Sequence, residues 1–272
     1  MGLSLASAAS WGAGDFTGGI AAKRTSVFGL VVAAHTTGFL LVLALILLTR
    51  ESMPSRLSLL WAMTGGLLGS IGLAAFYRAL AIGKMGINAP VAAVITAALP
   101  VAVGILLQGR PGKLQLIGFV IAIIGIVLVS KPELVHERPA GMGLAVLAGV
   151  GFGGFLTCMK LASATAVLWP LCVSRLASAL LMLGFCLFTR QSSFPSPKLL
   201  PLAVLTGTLD TAGNGLYMLA TQLGRLDVAV VLSSLYPVTT VILASSILKE
   251  RMNRIQTAGM VAVLVAIPLI AA

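Results

Sequence analysis

Charge is scarce in this sequence. Only 9% of its 272 residues are Asp, Glu, Lys or Arg, against roughly 25% in an ordinary soluble domain. Hydrophobic residues make up 58%, more than a water-soluble core requires. Acidic groups are the rarest: seven against eighteen Lys and Arg, a formal charge of +11. The basic residues stand singly or in pairs between apolar runs, and aromatics are only 6%. That spread excludes a nucleic-acid face, which needs clustered Lys/Arg and stacking platforms, and matches the flanks of membrane spans. With two histidines, the chain has neither a metal cluster nor a His-based nucleophile pair, so a membrane-embedded enzyme is disfavoured and no cofactor is expected. The three cysteines, Cys158, Cys172 and Cys186, are widely spaced without a C-x-x-C pair. They read as small apolar fillers, not as zinc ligands or disulfides.

Long apolar runs are abundant. About 20 apolar residues cross a bilayer core, and ten such stretches can be counted: 3–22, 27–48, 57–82, 87–108, 114–130, 142–160, 165–188, 199–223, 228–248 and 255–272. The connections are short, the longest near 131–141, which excludes a nucleotide-binding domain and ATP-driven pumping within this chain. The first stretch has no Lys or Arg before Lys23, so it lacks the positive n-region of a signal peptide and is expected to be a retained helix. Gly149-x-Gly151-x-x-Gly154 matches a dinucleotide fingerprint by letter. Inside an apolar helix these glycines serve close helix packing instead.

The two halves of the chain resemble each other. Gly12, Gly14 and Phe16 recur as Gly151, Gly153 and Phe155 at an offset of 139, Tyr77 recurs as Tyr217 at 140, and Gln115-x-x-Gly118 recurs as Gln256-x-x-Gly259 at 141. Pro100 and Pro237 sit mid-span in the fourth and ninth stretches, where each removes a backbone hydrogen bond and marks a candidate kink. Five spans per half is an odd number, so the second repeat enters the membrane upside down. The expected fold is therefore an all-α membrane protein of ten transmembrane helices in two inverted five-helix repeats, 1–138 and 139–272.

In this setting the sequence resembles the drug/metabolite transporter superfamily in its ten-helix EamA-type form. The resemblance is carried by Trp11-Gly12, Arg175, Tyr217-x-x-Ala220 with Gly224, Tyr236-Pro237, Lys249-Glu250-Arg251 and Gln256-x-x-Gly259. The first half departs from it with Gly109-Arg110 in place of Glu-Arg and His35 opposite Arg175; the second has Val150 opposite Trp11. The resemblance implies secondary transport or export of small metabolites or drugs, commonly amino-acid-like, across a bacterial cytoplasmic (inner) membrane, with both termini cytoplasmic. The charge bias points the other way. Ten Lys/Arg lie in the odd-numbered loops and six in the even-numbered ones.

Candidate site residues are the ionisable groups within spans, since burying one there costs several kcal/mol unless it is paired or hydrated. These are Asp15, His35, Arg78, Arg175 and Asp210. Counting at 1.5 Å per residue, Asp15 and His35 lie ~10 to 13 Å deep, and Asp210 and Arg175 ~17 to 20 Å. Arg78 and Lys160 lie near span ends, where they can snorkel. Asp210 and Asp15 are the candidate proton-coupling carboxylates. Arg175, Asn214, Tyr217, Trp11, His35 and Tyr77 are the candidate substrate-binding residues. Asn214 and Tyr217 follow Asp210 at i+4 and i+7, and Trp11 stands one turn from Asp15. Glu250 is a candidate gate residue among loop cations, and His136 is a loop residue. The expected partners are a small-molecule substrate, protons and the lipid bilayer, with the chain a monomer or homodimer. The competing readings are an uncoupled facilitator and a non-transporting membrane assembly subunit.

Overall fold

A computed structural model describes residues 1–83, 85–129, 140–192, 194–247 and 254–271. His136, Arg138 and the Lys249-Glu250-Arg251 run lie outside the described residues. Among those described, every regular element is a helix: α1 (Gly2–Ala22), α2 (Val27–Thr49), α3 (Arg56–Ile82), α4 (Met85–Gln108), α5 (Lys113–Val129), α6 (Met142–Ala162), α7 (Leu168–Thr189), α8 (Leu200–Leu223), α9 (Leu226–Ser233), α10 (Tyr236–Ile247) and α11 (Arg254–Ala271).

Five of the segments are long and apolar enough to cross a membrane by length and composition: α2, α3, α6, α7 and the α9–α10 unit Leu226–Ile247. The apolar stretches 91–107, 113–128 and 257–270 are shorter. Hydrophobic side chains are not confined to the interior. Leu47 is 71% exposed and Phe188 87% exposed, while Asn214, His35 and Arg175 are buried. Polar groups inside and large apolar ones outside are what a lipid solvent selects. The protein is a multi-pass membrane protein.

Local chemistry sets the helix ends. Ser26 and Ser55 cap α2 and α3 by accepting from Gly29 N and Ser58 N. Gly83 and Gly224 end α3 and α8 in extended backbone. Arg50 and Arg190 end α2 and α7 in the left-handed conformation, with φ of 52° and 53°.

The two mid-span prolines behave differently. Helix α4 runs unbroken through Pro100, whereas the ninth span separates into α9 and α10 at Ser234 and Leu235, just before Pro237. Pro237 has no N–H to offer the carbonyl one turn back. Thr240 Oγ1, on the following turn, donates within reach of both Gly12 O (3.0 Å) and Tyr236 O (3.3 Å), so the broken span is tied to α1.

The main packing pairs are α1 with α8, α3 with α6, α4 with α6, α1 with α10, α2 with α7, α2 with α8, α3 with α7, and α5 with α11. Among the described residues, α5, α9 and α11 contribute no side chain to the central cavity, which α1, α2, α3, α4, α6, α7, α8 and α10 enclose.

Candidate functional site

Close backbone approach brings the buried charges together. On α8, Gly207 lies against the backbone of Ala34 on α2, leaving no room for a Cβ. One turn along each helix, Gly38 lies against Thr211 Oγ1. His35 and Asp210 are the sequence neighbours of Ala34 and Thr211, so this stitch of small residues sets their separation. On the third side, Gly66 of α3 meets the backbone of Ser174, which fixes the turn of α7 carrying Arg175.

The result is a cluster of His35, Arg175, Ser178, Asp210 and Asn214. Arg175 Nη2 is 2.8 Å from Asp210 Oδ2, and Arg175 Nη1 is 2.9 Å from His35 Nε2. A guanidinium can only donate, so His35 Nε2 must be the acceptor. The proton of a neutral imidazole then sits on Nδ1 and is donated to Ser178 Oγ, its observed partner. On this tautomer the 3.4 Å approach of His35 Nε2 to Asp210 Oδ2 is a packing contact. Asn214 Nδ2 donates to Asp210 O (2.7 Å) and Oδ1 (3.2 Å).

Two features of the cluster stay open. Arg175 is 3% exposed, yet its Nε and Nη2 have no hydrogen-bond acceptor; Asp210 supplies charge to Nη2 but not an aligned bond. The Asp15 carboxylate also lines the cavity and has no hydrogen-bond or ion-pair partner among the described residues. Asp15, Asp210 and Arg175 are the formally charged residues of the lining, so it holds one carboxylate in excess.

The cavity is small, about 60 Å³, well under the roughly 300–1,000 Å³ of drug-sized ligand sites, so in this conformation it is narrower than a bound solute requires. Its walls are Trp11, Phe152, Phe155 and Tyr236, with Ser70 and Thr96 among the polar groups. Asp15, His35, Arg175 and Asp210 each lie at least seven residues from a helix end, about 10 Å at 1.5 Å per residue.

Of the residues singled out from the sequence, Trp11, Asp15, His35, Arg175, Asp210 and Asn214 line this one cavity. Tyr217 and Tyr77 stand behind it. Tyr217 OH donates to Leu156 O at 3.2 Å, and its ring lies 5.8 Å from that of Trp11. Tyr77 packs against Gly18 and Phe76. Arg78 is exposed, and Lys160 donates to Thr221 O near the end of α6. Ser178 had a signal in the sequence, one turn beyond Arg175 on the same helix face. Phe152, Phe155 and Tyr236 had none that separates a cavity wall from ordinary packing. Among the described residues, no group of three His, Cys, Asp or Glu side chains is placed to hold a metal.

Comparison with known proteins agrees with the fold. A solved crystal structure, described only as that of a protein, superposes with a TM-score of 0.77 at 17% identity, covering 98% of this chain and 94% of that one. No curated protein sequence matches. The sequence model of the EamA-like transporter family matches residues 1–131 and again 139–272, one match per half. A match over both halves makes this a two-repeat membrane transporter of small solutes and not an enzyme: the chain belongs to the EamA-like transporter family.

Proposed function

We propose that this protein is a secondary transporter that carries a small zwitterionic, amino-acid-like solute through the central cavity by alternating access, coupled to protons. The observation that carries the reading is the pair of open features on the cavity wall. Arg175 has an Nε without an acceptor beside an Nη2 held only by the Asp210 ion pair at 2.8 Å, and exchanging Asp210 for a solute carboxylate would use the planar fork of the guanidinium. Asp15 offers a carboxylate without a partner, the complement of an amine. Trp11, Phe152 and Phe155 supply an apolar wall for the rest of the solute. Alternating access is supported by the packing: α1 on α8 corresponds to α6 on α3 when the halves are exchanged, and α2–α7 and α5–α11 map onto themselves. That is the pattern of two repeats about a central pseudo-two-fold.

Asp210 and Asp15 are the coupling groups in this reading. A solute carboxylate that engages Arg175 competes with Asp210 for it, so solute and proton occupancy are linked through one guanidinium. The test is transport into liposomes. Arg175→Lys, which loses the fork but keeps the charge, should lower solute transport at least about tenfold, and Arg175→Gln further still. Asp210→Asn and Asp15→Asn should lose accumulation driven by a pH gradient while solute exchange persists for Asp210→Asn. Wild-type rates in both folded Arg175 variants would make Arg175 a packing residue. Unchanged pH-driven accumulation in both Asp variants would leave an uncoupled facilitator.

A further inference from the structure

Outside the cavity, the α2–α7 seam is fastened at both ends by residues in equivalent positions of the two repeats. Arg50 and Arg190, 140 positions apart, end α2 and α7 with the same left-handed turn. The next residues, Glu51 and Gln191, are also 140 apart. Each reaches across to the start of the other helix.

The two clasps are unequal. Helix α7 begins at Val167 without a side-chain cap of its own. Glu51 supplies one from 116 residues away: Oε1 accepts from Val167 N (3.0 Å) and Leu168 N (3.2 Å), and Oε2 accepts from Trp169 N (2.9 Å). Trp169 Nε1 returns a bond to Glu51 O at 2.9 Å. A carboxylate on three free N–H groups at a helix start joins charge-assisted bonds to the helix dipole. At the other end, Gln191 Oε1 accepts one bond, from Ser26 Oγ at 2.6 Å, and Ser26 already caps α2 itself. Because α2 and α7 run antiparallel, the clasps lie at opposite ends of a seam of 22 to 23 residues, about 33 Å apart. Between them the seam carries His35, Arg175 and Ser178.

We propose that Glu51 is a positioning residue that locks the seam at the face bearing the α2–α3 loop, and that the inequality of the Glu51 and Gln191 clasps sets the face to which the cavity opens. The proposal rests on the alternating-access reading above. Among the described residues the seam is held by four hydrogen bonds at the Glu51 end, and by one hydrogen bond and the non-directional Phe28–Phe185 stack (5.6 Å) at the other, so it parts first at the end with fewer polar ties, the face bearing the α1–α2 loop. Engaging α7 about two turns before Arg175, Glu51 also fixes the depth of the guanidinium without touching solute.

The experiment uses full-length protein in liposomes, with Cys158, Cys172 and Cys186 replaced by serine and Ser70→Cys in the cavity wall as reporter. A membrane-impermeant maleimide is applied from either side, the orientation being fixed separately with Arg56→Cys. With Glu51 intact, labelling should come mainly from the α1–α2 face. Glu51→Gln should raise labelling from the α2–α3 face about tenfold, and Glu51→Gln combined with Gln191→Glu should reverse the preference. Trp169→Phe, which removes only the returned bond, should shift it the same way by less and serves if Glu51→Gln does not fold. An unchanged side preference in folded Glu51→Gln, in the charge swap or in Trp169→Phe overturns the proposal, since a mere stabilising cap predicts lower stability but no reversal. Labelling that reverses in a protein that moves no solute would sink the transport reading and leave the clasps standing.

Discussion

Gly207 is where one atom decides whether the buried cluster forms. A methyl group there runs into the carbonyl of Ala34, and backbone cannot swing aside as a long side chain can. Helix α8 would move off α2, carrying Asp210 away from His35 and Arg175. Gly207→Ala should therefore lower stability by about 1–3 kcal/mol and abolish transport. Gly143→Ala, at a helical position with nothing within 4 Å of the added carbon, should change neither. Thermal unfolding in detergent and solute uptake read the two effects. His35 gives a second test at this scale. As the acceptor for Arg175 Nη1, its Nε2 is replaceable by the amide oxygen of glutamine but not by a methyl-bearing side chain. His35→Gln should retain more transport than His35→Leu, and equal loss in both would show that the lone pair on Nε2 is immaterial.

At the scale of the element, the broken ninth span is the part with a mechanical prediction. Replacing Pro237 restores an N–H that Ser233 O can accept, closing the gap between α9 and α10. Tyr236, beside the gap, lines the cavity, so a continuous helix stiffens its wall. Pro237→Ala should keep the protein folded and slow turnover several-fold, while Pro100→Ala, in a helix that is already continuous, should slow it less. Slower amide exchange at 237–240 in Pro237→Ala is the accompanying observation. The sequence presented the two prolines as equivalent, because a proline's missing donor is visible in the letters and its neighbours' compensation is not. The same limit runs through the site. Asp15, His35, Arg175 and Asp210 stood out because an ionisable letter in an apolar run has few bland explanations. Phe152 and Phe155 line the same cavity and look like any packed aromatic. Glu51 was passed over because its meaning lies in Val167, Leu168 and Trp169, more than a hundred residues away. Helices α2, α3, α6 and α7 were legible from unbroken apolar length alone.

For the whole molecule, the ten-span reading predicts both termini on one side and Arg56 and Lys198 on opposite sides. Both are exposed. Cysteines at these positions should react with an impermeant reagent from opposite faces, and reaction from the same face refutes the ten-span topology. The charge of the cavity wall has an electrical consequence. With both of its carboxylates ionised, a lining of Asp15, Asp210 and Arg175 carries one negative charge through the change of access, and a zwitterionic solute does not alter that sum. Unless a proton rides with the empty or the loaded form, reorientation in one direction then works against the membrane voltage and in the other with it, by up to about 2.3 kcal/mol per 100 mV for a full unit charge. A potassium diffusion potential imposed across the liposomes should therefore change the transport rate. In Asp15→Asn, whose lining is neutral, the sensitivity to voltage should fall even where solute exchange survives.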